Sequence, residues 1–322
     1  MKIITFILLL SALLVTAVDA QNYEGKRWTS EVIWKSKTFS EEANFSKDTF
    51  DVWVILQFPQ FHLRADFSNA VFKSSATLME GEFHVHADFS GVQFESSSSF
   101  RQTIFHSTAS FSKAVFKYAP DFMQTEFYNN LDFSGARFLS GAKFIHTNFH
   151  SPTNFKAAQF VSASFVEAEF HFPVDFSTAK FTALTDFADA DFKSDVDFSN
   201  TTFGVTASFA GAQFDSTVKF NNILLPDTLY MEDMKIKHEL DLTHAKLKDA
   251  KHGKCKIFLV GADINKLKIN EELFELYFPS SISSEQKTSV YDALLKRYKE
   301  LGYTASFKKL EAEYNDFLSK NK

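Results

Sequence analysis

The 322 residues would fill two average globular domains, although repetition along a chain makes length a poor guide to domain number. A net charge of −6 with a pI near 5.9 excludes a strongly basic nucleic-acid-binding surface. A single cysteine, Cys255, excludes an intrachain disulfide, so packing alone must hold the fold.

Residues 1–20 read as a secretory signal peptide. Met1-Lys2 is the positive start, Ile3 to Leu14 the apolar stretch, and Val18-Asp19-Ala20 a small-residue cleavage site before Gln21. The apolar run is short for a bilayer span, no cysteine follows it to carry a lipid, and no later stretch is apolar enough to cross a membrane as a helix. The mature chain is expected to be exported to a bacterial periplasm, cell surface or exterior. Residues 21–33, with Tyr23 and Trp28, are expected to cap the body that follows.

From residue 34 to about residue 270 the chain is a lattice. Phe83, Phe89, Phe94, Phe100, Phe105, Phe111 and Phe116 are separated by alternating steps of six and five, a rhythm that fits neither the 3.6 period of a helix nor the 2.0 period of a flat strand. Two residues before each Phe stands a small or β-branched residue, such as Ala136, Ala142, Thr147, Thr153 and Ala158. A separation of two puts both side chains on one side of an extended segment. Each unit therefore offers one large and one small inward group, and four units, 22 residues, close one square coil of a solenoid. The rhythm slips by one residue between Phe160 and Phe165 and resumes at Phe176. After Phe220 it continues through Leu225, Met231, Ile236, Leu242 and Leu247, then Phe258, Ile264 and Ile269. Between Lys235 and Lys268, nine lysines face four acids, which leaves a balance of −11 elsewhere: an acidic rod with a basic end.

Residues 271–322 read as helical. Ser283 with Gln286 forms a capping-box pattern, and Val290, Tyr291, Leu294, Leu295 and Tyr298 recur at helical spacing. Gly302 suits a helix C-terminus, and Phe307, Leu310, Tyr314 and Phe317 mark a second helix. This helical hairpin is expected to pack on the last coil, with dimerisation through it as the alternative, so monomer and dimer both stand open.

The units Ala65-Asp66-Phe67-Ser68-Asn69, Ala87-Asp88-Phe89-Ser90-Gly91 and Leu131-Asp132-Phe133-Ser134-Gly135 resemble the pentapeptide-repeat family, whose unit is roughly Ala-(Asp/Asn)-(Leu/Phe)-X-X. The chain is most similar to the Phe-centred variant in which every second unit gains a residue. The resemblance implies an all-β solenoid, a right-handed quadrilateral β-helix, here with a C-terminal α-helical hairpin as its cap. The added residue implies small bulges at two corners of each coil.

The lattice also sorts exposed residues into columns. His62, His84, His106, His150 and His171 share one column with Tyr128, beside a second column of Gln60, Glu82, Ile104, Glu126, Asn148 and Glu169. Imidazoles next to carboxylates suit a divalent metal or titration near pH 6. A flat ladder is nevertheless a poor source of the three or four converging ligands a metal needs. The histidines are therefore expected to stack, with no metal and no other cofactor. Another column holds Asp66, Asp88, Ser110, Asp132, Asn154, Asp175 and Asp197. The family resemblance implies that such a row imitates DNA phosphates in members that inhibit gyrase. The plainer reading is that Asp and Asn bond to nearby turn backbone. No nucleophile elbow, phosphate loop or paired-carboxylate motif stands out from the lattice, so no catalytic residue and no enzyme is expected. The leading expectation is an exported structural or protein-interaction scaffold. A DNA-mimicking topoisomerase regulator and a metal- or glycan-binding surface protein are the alternatives. An unidentified protein is the expected partner, and nucleic acid is not.

Overall fold

The computed structural model describes residues 21–248 and 253–320; the segment read as a signal peptide lies outside them. The chain winds as a parallel β-solenoid of about 11 turns followed by two helices. Most strands are only two residues long, because a coil of 22 residues must turn four corners. Each pairs in parallel with its equivalent one coil on: Ala43 with Ala65, Ala65 with Ala87, Ala87 with Ala109. Stacking equivalent residues at the strand spacing satisfies the backbone between coils and superimposes like side chains.

That superposition builds the core. Phe39, Phe61, Phe83 and Phe105 are buried in one column, with ring centroids 4.4, 4.6 and 4.8 Å apart and planes within 5° of parallel. Neighbouring columns meet edge to face, as Phe83 meets Phe89 at 5.9 Å and 78°. Both arrangements suit the quadrupole of the ring. The small residues two before each Phe are buried between the columns. Several of the threonines among them donate back to an earlier coil, Thr125 Oγ1 to the Phe100 carbonyl at 2.9 Å, Thr147 to Phe122 at 2.7 Å and Thr201 to Phe176 at 2.8 Å, whereas Thr153 donates to the Ser151 carbonyl at 3.1 Å.

The corners alternate in kind. Each five-residue step from Trp34 to Phe220 has a left-handed residue, such as Lys47 (φ 59°), Asn69 (φ 58°) and Gln102 (φ 57°), in a turn closed by bonds such as Asp48 N–H to the Phe45 carbonyl at 3.2 Å. The slipped step from Phe160 to Phe165 is the exception. The six-residue steps turn through wider bends. The added residue thus opens two corners of each coil, and a left-handed residue tightens the other two. At the slip one wide corner disappears: the strand Gln159–Ser164 runs straight through it, against a bulge between Phe138 and Gly141 in the strand Arg137–Lys143.

Two boundaries differ from the sequence expectation. Residues 21–33 belong to the first coil rather than to a separate cap: Gln21–Asn22 pairs with Ala43–Asn44 and Arg27–Trp28 with Thr49–Phe50. Tyr23 stacks on Phe45 at 5.0 Å and Trp28 on Phe50 at 5.6 Å, so wider aromatics roof the open end. At the other end the ladder continues past residue 270, to a strand at Phe274–Leu276 that pairs with Cys255–Ile257. There the register also shifts. Tyr230 pairs with Phe258, which places Leu259, not Phe258, level with Met231.

Helix α1 spans Ser284–Glu300 and helix α2 Thr304–Lys320. The capping box forms in full, with Gln286 N–H to Ser283 Oγ at 3.2 Å and Ser283 N–H to Gln286 Oε1 at 3.0 Å. Val290, Tyr291, Leu294 and Tyr298 of α1 are buried. Arg297 ties α1 to the last coils, donating to the Leu267 carbonyl at 2.8 Å and to Glu239 at 2.7 Å. No helix among the described residues is long and apolar enough to cross a membrane.

Candidate functional site

The five column histidines come together on one outer face. His62 and His84 stack at 4.8 Å, His84 and His106 at 4.9 Å, and His150 and His171 at 4.7 Å, with Tyr128 filling the gap 5.8 Å from His106 and 4.5 Å from His150. The neighbouring column bonds to them diagonally, across a separation of 24 residues. His84 Nε2 lies 3.1 Å from Gln60 Oε1, His106 Nε2 3.1 Å from Glu82 Oε2, and His150 Nε2 2.7 Å from Glu126 Oε2, while Lys193 Nζ donates to Glu169 at 2.9 Å. The column reading brings these residues to one face but misses the diagonal, because corner geometry decides whether a side chain meets its own coil or the next. The hydrogen bond from His106 is the main reason the Glu82 carboxyl titrates below its ordinary range, and burial, then the neighbouring His106, lowers His84.

The aspartate column faces a different side and holds turns. Asp66, Asp88, Asp132, Asn154, Asp175 and Asp197 each accept, through Oδ1, the backbone N–H two residues on, at 2.6–2.9 Å. Beside it lies a shallow groove of about 690 Å³ running from His86 to Lys219. Its rim carries Asp132, Asp175, Asp195 and Asp197 against the single lysine Lys219, and its floor is the sheet containing Leu131, Thr153, Val174 and Val196. The Oδ2 atoms of Asp132 and Asp175 accept no protein hydrogen bond among the described residues. The groove escaped the sequence reading, since depth comes from how corners project and not from periodicity.

Other candidates are structural. Cys255 is buried and its thiol is pushed up to about 12 by burial, which makes it an inert packing group despite Lys254 and Lys256. Asp48 is buried in the column otherwise filled by Ala70, Val92 and Ala114. It accepts the Lys26 N–H at 2.8 Å and Trp28 Nε1 at 2.8 Å, clipping the first coil to the second. Burial raises its pKa. Only the break in an alanine column marks it in the sequence.

The profile of the family described as pentapeptide repeats (9 copies) matches residues 133–180 and 176–223. No curated protein matches the chain significantly. One solved structure it matches is HetL, a pentapeptide repeat protein involved in heterocyst differentiation regulation, from the cyanobacterium Nostoc sp. strain PCC 7120. Identity is 12% over 66% of this chain and 94% of that one, and the TM-score of 0.21 is too low to bear on function. With the repeat profile lying on coils whose Phe columns and turn-holding Asp residues match its unit, residues 133–223 are pentapeptide repeats.

Proposed function

We propose that the chain is an exported, non-enzymatic scaffold whose groove seats an extended, positively charged protein segment. The observation that supports this most is the acidic groove itself, with four aspartates against one lysine along several coils. Phe columns fill the interior, so recognition falls to the outer faces. Coils about 4.8 Å apart make the rim a rigid ruler of carboxylates, which selects a partner by charge order and speeds its encounter. Export rests on the signal-peptide character of residues 1–20.

Fluorescence anisotropy with extended lysine-rich, glutamate-rich and uncharged peptides tests the groove. Saturable binding of the lysine-rich peptide alone, weakening with salt, is expected; equal binding of all three, or of none, refutes it. For export, the mature N-terminus by mass spectrometry is expected at Gln21. A chain that keeps Met1 and stays in the cytoplasm revives DNA mimicry instead.

A further inference from the structure

The geometry points to a divalent transition-metal site on the histidine face, formed by the Glu82 carboxylate and the Nε2 atoms of His84 and His106, and taking a zinc-class ion. One Glu82 oxygen, Oε2, lies 3.1 Å from His106 Nε2 and 3.5 Å from His84 Nε2. These values bracket the edge of roughly 3.3–3.4 Å that a tetrahedron has when its bonds are about 2.0–2.1 Å long. The three ligand atoms lie within 4.8 Å of one another, and the two imidazoles, stacked at 4.9 Å, need only tilt toward the carboxylate to share an ion. Two histidines and one glutamate, with a further position for water, form a common zinc donor set. Gln60 Oε1, 3.1 Å from His84 Nε2, supplies a polar neighbour on the side away from His106.

The order of the ladder explains why three groups meet here. Glu82 has a histidine both on its own coil, His84, and on the next, His106, which reaches it along the diagonal; Glu126 shares its coil with Tyr128, and the diagonal partner of Glu169 is Lys193. Farther along the face, Glu126 bonds to His150 and Glu169 lies 3.4 Å from His171. Those pairs sit on separate carboxylates, and among the described residues no other group of three or more His, Cys, Asp or Glu side chains converges in this way. Ion binding replaces the His106–Glu82 and His84–Gln60 hydrogen bonds and leaves the ring proton of each histidine on Nδ1.

The test is equilibrium dialysis of untagged, chelator-stripped protein against Zn²⁺, with the bound metal measured by mass spectrometry. One ion per chain is expected. His84→Gln/His106→Gln, its fold checked by far-UV circular dichroism, should lose that ion, and Glu82→Gln should weaken binding by at least about tenfold. His150→Gln/His171→Gln should keep it. Zn²⁺ should raise the melting temperature of the parent and of this second variant, and chelator should reverse the rise. Absence of a bound ion in the parent, undiminished binding by His84→Gln/His106→Gln, or loss in His150→Gln/His171→Gln would each overturn the site.

Discussion

Removing one ring from the middle of a phenylalanine column tests what holds the rod together. Phe133 is fully buried, stacked on Phe111 at 4.8 Å and Phe155 at 5.1 Å, and meets Phe122 and Phe144 edge-on at 5.4 and 5.6 Å. Phe→Ala in a core costs about 3–5 kcal/mol. Phe133→Ala should fall near the upper end, because the ladders above and below fix the coil spacing and prevent the walls from closing on the cavity. Phe100→Leu is the control. Leu56 and Leu78 already occupy the column of Phe100, buried at the two coils before it, so a cost below about 1.5 kcal/mol is expected. For a domain of this size the alanine variant should melt on the order of 10 °C lower. Urea unfolding should be followed by far-UV circular dichroism, which reads every coil, and by tryptophan fluorescence, which reads the N-terminal end, where Trp28, Trp34 and Trp53 all lie. In a solenoid each coil contacts only its neighbours, so the two probes should separate in Phe133→Ala more than in the parent. A cost for Phe133→Ala no larger than that for Phe100→Leu would refute the stacked-column account.

Four further outcomes follow from particular contacts. Asp48→Ala leaves Trp28 Nε1 and the Lys26 N–H without their acceptor and should cost about 1–3 kcal/mol, seen first in tryptophan fluorescence; Asp48→Asn, which keeps an acceptor and loses the buried charge, should cost less at pH 7. Gly204→Ala would place its Cβ 2.3 Å from the Thr182 backbone carbon, so it should lower the melting temperature where Gly25→Ala, with open space around the new Cβ, does so less. Arg297→Ala breaks the bonds to Leu267 and Glu239 and should loosen α1 and α2, read as faster proteolysis between residues 277 and 283. With chelator present, stability should fall as pH drops from 7.5 to 5.5. Burial and the nearby Lys193 hold His171 below ordinary histidine, so the unfolded chain takes up the proton first. The contribution is complete above the unfolded pKa, near 6.5, and is lost below it; His171→Gln should flatten the slope, and an unchanged parent melting temperature across that range would contradict the assignment.

The fold was legible because periodicity is a geometric statement. Phe at steps of five and six, with a small residue two before, admits few solutions other than a four-faced coil, and the slip near Phe160 surfaced as the straight strand Gln159–Ser164. Legibility failed where single residues break the period. Asp48 is a charged residue in the buried column of Ala70, Val92 and Ala114, and no repeat rule identifies it as buried. The extra residues after Leu247 hid the shift from Phe258 to Leu259. Faces could be assigned from the sequence, but not reach: the 24-residue diagonal joining Glu82 to His106 and the groove beside Asp175 depend on how far corners project.

The scaffold reading rests on the groove, and paired charge removals test it most directly. Asp175→Asn/Asp197→Asn strips two carboxylates from the groove, and Asn154 shows that asparagine holds the same turn, accepting Lys156 N–H at 2.9 Å. Glu169→Gln/Asp191→Asn removes the same charge from the histidine face. Titrated with the lysine-rich peptide, the groove variant should bind several-fold more weakly than the parent and the histidine-face variant should match it. Equal weakening in both, or none in the groove variant, would mean that the peptide responds to overall charge or docks elsewhere.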